Sequence, residues 1–193
     1  MLKKDLRKKY ITKRNFISPS LLVTHSLSIA NNLLKLPIWD FTNYHLFLSI
    51  IEKKEIDTAY ILSILQGKDK NVIVPKIVEN HLEHYLLTDA TKLKNNGWGV
   101  PEPVDGICIE TSKIDVVFVP LLAFDKKGHR IGYGKGFYDG FLKECKAEVI
   151  KVGLSFFEAE EKITGIFSND VPMNYCVTPN NTYSFGADSF KSS

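Results

Sequence analysis

The stretch Asp115-Val-Val-Phe-Val-Pro120 decides the fold of this chain of 193 residues. It is a short, apolar and mostly β-branched run, which is typical of a strand buried on both faces of a sheet. Further runs of this kind are separated from one another by helical stretches, and they span 44–51, 72–75, 82–87, 149–154 and 173–178. This alternation predicts an α/β fold, a three-layer, Rossmann-like single domain with a mainly parallel sheet flanked by helices.

Helix signals occupy four of the remaining segments. Residues 2–14 are good helix formers, and Ser18-Pro19 provides a cap and first-turn pair for a second helix that ends near Leu36. Thr58 is the predicted cap of a helix that runs through Leu65, and a short amphipathic helix is predicted over 137–147. We expect one domain over residues 1–193, with a basic N-terminal helix at 1–14 and a loose tail at 186–193.

Composition excludes several classes of protein. No apolar run approaches the length of a membrane span, and no linker-like segment divides the chain. Cys108, Cys145 and Cys176 lie far apart and are odd in number, which fits reduced thiols in the cytoplasm. Residues 1–31 are basic and carry Asp5 as their one acid, so a transit peptide remains an alternative to a cytoplasmic location.

The basic character is concentrated at the start of the chain. Residues 1–14 hold seven basic residues and one acid, a local charge of +6, whereas the whole chain has a net charge of +3. Such a run is usually a solvated helix face, and it lacks the interleaved aromatic residues of a nucleic-acid-binding surface. A third interpretation is an arm that closes over phosphates held elsewhere. We expect no nucleic-acid partner and no membrane.

The segment Arg130-Ile-Gly-Tyr-Gly-Lys-Gly-Phe-Tyr-Asp139 carries the strongest functional signal. Its three alternate glycines allow backbone N–H groups to turn toward an anion, and Arg130 and Lys135 supply positive charge. Asp139 is a hard oxygen ligand of the type that Mg²⁺ takes beside nucleotide phosphates. The segment matches neither the Walker loop nor the dinucleotide fingerprint, and glycine-rich turns are often only connections. It runs into the helix predicted at 137–147, whose N-terminus favours an anion.

The chain resembles the 5-formyltetrahydrofolate cyclo-ligase family, also called 5,10-methenyltetrahydrofolate synthetases. The resemblance rests on three successive motifs, Asp115–Pro120, Ala123-Phe124-Asp125-x-x-Gly128 and Arg130–Asp139, and extends from the basic start to Asp170-Val-Pro. It implies an enzyme that converts 5-formyltetrahydrofolate into 5,10-methenyltetrahydrofolate, with ATP as co-substrate, Mg²⁺ as cofactor, and release of ADP and phosphate. It also implies a monomer that acts on small molecules.

The resemblance assigns roles residue by residue. It implies catalytic roles for Lys135 and Arg130, and metal binding by Asp139 and Asp170. The residues implied in ATP binding are Lys3, Lys4, Asp5, Leu6, Arg7, Arg130, Ile131, Gly132, Tyr133, Gly134, Lys135, Gly136, Phe137 and Tyr138. Those implied in folate binding are Leu48, Glu55, Tyr133, Gly134, Lys135, Gly136 and Phe137.

Some positions leave alternatives. Residues 51–54 look longer than the corresponding family loop, so Glu52 is the alternative to Glu55 as the partner of the pterin. Trp98 is either a platform for the folate or a packed aromatic, and we expect packing. The histidines at 25, 45, 81 and 84 are expected to be packing or surface residues.

Two departures from the family pattern bear on activity. Asn174 stands where an acid is frequent, and Leu121-Leu122 replaces a glycine and a small residue. They motivate a second hypothesis, a folate- or nucleotide-binding module without turnover. The main hypothesis implies that the formyl oxygen attacks the γ-phosphate of ATP and that the second folate nitrogen then closes the ring. No nucleophilic Ser or Cys is expected in this reaction.

Overall fold

The computed structural model describes residues 2–186. The α-helices are α1 (Lys3–Asn15), α2 (Pro19–Leu33), α3 (Ala59–Gly67) and α4 (Phe137–Glu144). The strands are β1 (Asn43–His45), β2 (Asn71–Val78), β3 (His81–Leu86), β4 (Leu93–Asn95), β5 (Pro101–Pro103), β6 (Val116–Pro120), β7 (Ala123–Phe124), β8 (Arg130–Ile131), β9 (Ile150–Leu154), β10 (Tyr175–Val177) and β11 (Thr182–Ser184). Most of the predicted tail, residues 187–193, lies outside the described residues.

Seven strands form the main sheet in the order β11-β10-β9-β6-β1-β2-β3. The four central pairings, from β10 through β9, β6 and β1 to β2, are parallel, whereas β3 and β11 join the two edges in antiparallel orientation. Two small hairpins, β4–β5 and β7–β8, stand apart from this sheet. The prediction of a mainly parallel sheet is confirmed.

Helices cover both faces of the sheet. Val116 and Phe118 of β6 belong to a core cluster that includes residues of α2 and α3. The alternating residues Val117 and Val119 belong to a second cluster that includes Phe141 of α4. Because successive side chains of a strand point to opposite faces, this division confirms the three-layer arrangement.

Helix α1 lies over the β7–β8 hairpin. Leu6 and Tyr10 of the helix form a third buried cluster with Leu122, Ala123 and Ile131. This packing fixes the basic helix next to the hairpin from which the glycine-rich segment emerges. The basic helix, which the sequence marks by its charge, is thus held in place by apolar contacts on one of its sides.

The direction in which the chain crosses the sheet changes between β1 and β6. From β1 the chain moves through β2 to β3 on one side, and from β6 it moves through β9 and β10 to β11 on the other. Neighbouring parallel strands whose connections leave in opposite directions open a crevice at their carboxyl ends. The topology therefore places a ligand site beyond His45 and Pro120.

Three local predictions need correction. The strand expected over 44–51 is the three-residue β1, after which the chain leaves the sheet to line the crevice. The strand expected over 72–75 extends to Val78, because β2 pairs with β3 as a hairpin. Thr58 does not cap α3 with its side chain. Its hydroxyl donates instead to the carbonyl of Phe47, and the Asp57 carboxylate accepts from the N–H of Ala59 at 3.0 Å.

Among residues 2–186, no helix combines the length and apolar character that crossing a membrane would require.

Candidate active site

A cleft of about 280 Å³ lies at the carboxyl ends of β1 and β6. It brings together most of the residues that the sequence assigned to one site, although they come from distant parts of the chain. The assigned residues that line it are Lys3, Arg7, Leu48, Glu55, Arg130, Gly132, Tyr133, Gly134, Lys135, Gly136, Phe137, Tyr138, Asp139 and Asp170.

Four of the assigned residues do not line the cleft. Lys4 and Asp5 are exposed on α1, outside it. Leu6 and Ile131 are buried in the cluster between α1 and the β7–β8 hairpin. These two residues support the site indirectly, because their contacts hold α1 against the start of the glycine-rich segment.

The basic wall of the cleft consists of Lys3, Arg7, Arg130 and Lys135. Lys3 forms a salt bridge with Asp170. Arg7 donates through Nε to the carbonyl of Gly132 at 3.0 Å. Two residues of α1 that are four apart thus reach the same cleft, as their shared helix face predicts.

The glycines of the loop have different roles. Gly134 and Gly136 have φ angles of +91° and +76°, which other residues adopt only with strain. At Gly134 a Cβ would also lie 3.2 Å from Cζ of Arg7. Gly132 has no left-handed φ and has open space around its Cα, so its position does not require the backbone freedom of a glycine. The loop ends directly at α4, whose first turn offers free N–H groups.

Both candidate metal ligands are already paired with cations. Oδ1 of Asp139 accepts from Arg130 at 2.7 Å and from the N–H of Val171 at 3.2 Å. Oδ2 of Asp170 accepts from Lys3 and from the N–H of Phe167. Although burial alone would raise the pKa of Asp170, the bonds from Lys3 and Phe167 hold it below its usual range. Asp170 is therefore ionised at neutral pH.

The second oxygen of each carboxylate remains available. Within residues 2–186, hydrogen bonds reach Oδ1 of Asp139 and Oδ2 of Asp170, but not the other oxygen of either residue. The same range contains no group of three or more His, Cys, Asp or Glu residues that could hold a metal. Two carboxylates with free oxygens fit Mg²⁺, which is commonly bound by one or two carboxylates together with substrate phosphates.

Lys135 differs from the other cations of the basic wall. Lys3 and Arg130 are in ion pairs and Arg7 donates to a carbonyl, whereas the Lys135 side chain has neither an ion pair nor a hydrogen bond with any residue in 2–186. Its Nζ lies 5.7 Å from the ring centroid of Trp98. Trp98 itself is 53% exposed and lines the cleft, so the expectation that it is a packed aromatic is wrong. The β4–β5 hairpin carries Trp98 to the cleft, a placement that depends on sheet contacts and not on local sequence.

The opposite, mostly apolar wall contains two buried acids, Glu55 and Glu102, and Glu102 accepts through Oε1 from the N–H of Ile77 at 2.8 Å. Its apolar members are Phe47, Leu48, Ile50, Pro75, Ile77, Leu82 and Val100. Glu55 lies among them, is 6% exposed, and accepts through Oε2 from the N–H of Ile50 at 2.8 Å. Burial raises its pKa, and Ile50 N–H, Arg14, Tyr133 and Lys53 partly counteract that effect. Glu52 is exposed and lies outside the cleft, so the geometry favours Glu55 over the alternative.

Sequence reasoning missed Arg14. This arginine is 4% exposed, donates from Nη1 to the hydroxyl of Tyr133 at 2.5 Å, and donates from Nη2 to the carbonyl of Leu121 at 2.7 Å. Its spacing from Lys3 and Arg7 puts it on the same side of α1, a signal that could have identified it.

Two histidines behind the cleft act in packing. His45 and His84 are buried, and both stack against Phe141 of α4, with ring centroids 4.6 and 4.1 Å away. Burial lowers the pKa of His84 to about 4 and that of His45 well below its usual value, so both rings are neutral. The expectation of packing histidines is confirmed at these two positions.

The two departures from the family pattern lie outside the cleft. Asn174 accepts through Oδ1 from the N–H of Lys151 at 2.9 Å, which joins the start of β10 to β9. Leu121 and Leu122 are 2% and 1% exposed and belong to the core. Neither departure removes a group from the cleft.

Comparison with known proteins gives consistent matches. The sequence pattern of the 5-formyltetrahydrofolate cyclo-ligase family matches residues 1–179. A probable 5-formyltetrahydrofolate cyclo-ligase of Schizosaccharomyces pombe is 31% identical over 157 residues, which cover 74% of this chain and 76% of that protein. The 5-formyltetrahydrofolate cyclo-ligase of Haemophilus influenzae is 37% identical over 109 residues, 53% of this chain and 58% of that protein.

A solved structure agrees over the full length. The 5,10-methenyltetrahydrofolate synthetase of Aquifex aeolicus superposes with a TM-score of 0.82 at 32% identity, covering 100% of this chain and 97% of that one. The match therefore includes the sheet, the basic helix and the glycine-rich segment together. On these grounds the chain belongs to the 5-formyltetrahydrofolate cyclo-ligase family.

Proposed function

We propose that this enzyme converts 5-formyltetrahydrofolate into 5,10-methenyltetrahydrofolate at the expense of ATP, with Mg²⁺ as cofactor and ADP and phosphate as products. The observation that carries the proposal is a single cleft with cations on one wall and a buried acid in an apolar wall opposite. The basic wall suits a polyphosphate, and the apolar wall suits a flat heterocycle. The glycine-rich segment lies between the two, so both substrates can meet there.

The pterin binds at Glu55 in this proposal. A carboxylate matches the parallel N–H donors on the polar edge of a pterin, and the surrounding apolar side chains exclude water from those bonds. Leu48 contacts the ring. The pterin needs an ionised acceptor. The groups that lower the pKa of Glu55, and so counteract the effect of its burial, are therefore part of the binding site.

The reaction proceeds by phosphorylation of the substrate. The formyl oxygen attacks the γ-phosphorus, the bond from that phosphorus to the ADP oxygen breaks, and the formyl carbon becomes an activated imino-phosphate. The second folate nitrogen then attacks this carbon, loses its proton, and expels phosphate, which carries away the former formyl oxygen. Lys135 and Arg130 stabilise the negative charge that develops on the transferring group.

Asp139 and Asp170 would hold Mg²⁺, which would neutralise part of the negative charge of the ATP phosphates. Arg130 and Lys3 orient these two carboxylates, because each cation is bonded to one of them. These ion pairs therefore fix the orientation of both carboxylates before a metal binds.

The thiols provide no nucleophile for this chemistry. Burial raises the pKa of Cys145 to about 11 and that of Cys176 well above its usual value, so both remain protonated at neutral pH. Cys108 is exposed and does not line the cleft. Direct attack by the substrate oxygen agrees with these positions.

We further propose that the chain acts as a monomer in the cytoplasm. The cleft is lined by both walls of one chain, so a second copy is not required for its chemistry. The free state of Cys108, Cys145 and Cys176 agrees with a reducing compartment.

The test is an assay of the purified chain with 5-formyltetrahydrofolate and ATP, with and without Mg²⁺. We expect the absorbance of methenyl-folate to rise together with one ADP per product, and chelation of the metal to stop both. Tight folate binding with no ATP consumption would contradict the proposal and favour the non-catalytic module.

A further inference from the structure

We infer that Arg14 is a positioning residue for folate recognition, which acts through the hydroxyl of Tyr133 on the carboxylate of Glu55. The inference rests on the proposed function, and it assigns a role to a residue that lies outside the cleft. Arg14 belongs to the last turn of α1, whereas Lys3 and Arg7 near the start of the helix face the bound nucleotide of the proposal.

The guanidinium of Arg14 is buried. Arg14 is 4% exposed and has no carboxylate within salt-bridge distance among residues 2–186. Its two terminal nitrogens are bonded to Tyr133 Oη at 2.5 Å and to the carbonyl of Leu121 at 2.7 Å, and Nε has no partner in that range. A buried cation with neutral partners is costly unless a nearby negative charge compensates it.

Glu55 is the acid that provides this compensation. The Tyr133 hydroxyl accepts from Arg14 at 2.5 Å, and it lies close enough to the Glu55 carboxyl to lower the pKa of that group. Its proton is therefore directed toward Glu55, because the Arg14 nitrogen occupies the acceptor side of the phenol oxygen. The order of groups is guanidinium, phenol, carboxylate, with the carboxylate at the cleft.

The other groups around Glu55 do not replace Arg14. Lys53 is on the 3-10 helix Ile51–Lys53 and places Nζ 4.9 Å from the Tyr133 ring centroid, toward the face of the ring. Tyr138 of α4 is a neutral phenol whose hydroxyl is buried without a partner among the described residues. Ile50 supplies one backbone N–H. Arg14 is thus the cation that is hydrogen-bonded to the hydroxyl beside the recognition acid.

This arrangement has a consequence for pH dependence. Pterin recognition needs the ionised carboxylate, and burial already raises the pKa of Glu55 above its usual value. Loss of the Arg14 charge removes a group that lowers this pKa, so the pKa rises further. Folate binding should then weaken as pH falls, and it should do so at a higher pH than in the unaltered protein.

The test compares Arg14→Gln with Lys8→Gln, which removes one positive charge from an exposed position of the same helix. For Arg14→Gln we expect KM for the folate to rise about tenfold, KM for ATP to change less than twofold, and the acid limb of kcat/KM for the folate to move to higher pH. Arg14→Lys keeps a positive charge, so its acid limb should lie between that of Arg14→Gln and that of the unaltered protein. Lys8→Gln should leave all three unchanged.

A second variant covers a failure of Arg14→Gln to fold. Tyr133→Phe keeps the buried arginine and removes the shared hydroxyl, so it should raise KM for the folate and move the acid limb in the same direction. A fall in kcat with an unmoved acid limb in both variants would overturn the inference. If the unaltered protein shows no turnover, folate affinity can be measured by Trp98 fluorescence, which separates this inference from the proposed reaction.

Discussion

The basic and apolar walls of the cleft are stabilised in different ways. On the basic wall, Lys3 and Arg130 are bonded to Asp170 and Asp139, and Arg7 is bonded to the backbone of the glycine-rich segment. On the apolar wall, Glu55 is surrounded by hydrocarbon and is reached by one backbone N–H and the Arg14–Tyr133 pair. On the first wall, two of the four cations are already paired with acids before substrate binds, whereas Glu55 on the second wall has no ion pair with any residue in 2–186.

Lys135 is the exception on the basic wall. Because no acid in residues 2–186 holds it, its amine can move to a phosphate without breaking an ion pair. Three cations of the basic wall are thus held in place by bonds within the protein, whereas Lys135 is available to bind a phosphate.

The largest effect is expected for Lys135→Ala. Turnover should fall about 100- to 1,000-fold, since a charge that stabilises the transition state is lost, and the free energy of unfolding should change by less than about 0.5 kcal/mol. The measurement is steady-state kinetics together with chemical denaturation. Lys143→Ala, at an exposed position of α4, is the matched control. Wild-type turnover in Lys135→Ala would remove this lysine from the mechanism.

The apolar wall is tested by Glu55→Gln. The amide keeps the shape and the bond from Ile50 but presents a donor to the pterin, so we expect KM for the folate to rise about 10- to 100-fold, about 1.5–3 kcal/mol. KM for ATP should hardly change. Glu52→Gln is the control, and a larger folate effect there than at Glu55 would reverse the assignment.

A smaller effect is expected for Gly134→Ala. Alanine adopts the left-handed φ of this position only with strain, and its methyl group would also approach the Arg7 guanidinium. Together these effects should lower the free energy of unfolding by about 1–3 kcal/mol. Affinity for ATP should fall with it. Thermal unfolding and nucleotide binding are the measurements, with Gly132→Ala as the comparison because that site is open. Equal losses in the two variants would show that backbone shape at Gly134 is not special.

Regular elements were predictable where local patterns are strong. The run Val116–Val119 alternates between two apolar layers and so reads as a buried strand, and Ser18-Pro19 marks the start of α2, where Ser18 Oγ accepts from the N–H of Leu21. The segment after β1 was less predictable. Leu46 to Ile50 is as apolar as a strand, but its side chains cover the core and the cleft instead of continuing the sheet.

The site was predictable in part for the same reason. The glycine-rich segment and the basic start are contiguous motifs, and their chemistry is visible in the residue types. Arg14 was not identified because an arginine in a lysine-rich helix looks like an ordinary surface residue. Trp98 was expected to pack, because a tryptophan between glycines carries no local sign that it reaches a cleft. Their positions depend on hairpin β4–β5 and on the packing of α1 against β7–β8.

By itself, the sequence determined the α/β class, the order of the main strands and helices, and the residue types suited to a phosphate site, because these follow from short-range periodicity and composition. The expected folate residues came from the resemblance to the family. Tertiary structure alone decided which carboxylate oxygens remain free, that Lys135 faces Trp98, and that Arg14 meets Tyr133. The contacting residues Lys3 and Asp170 are 167 positions apart, and Arg14 and Tyr133 are 119 apart. Such contacts depend on how the helix docks on the sheet, and no local pattern specifies that docking.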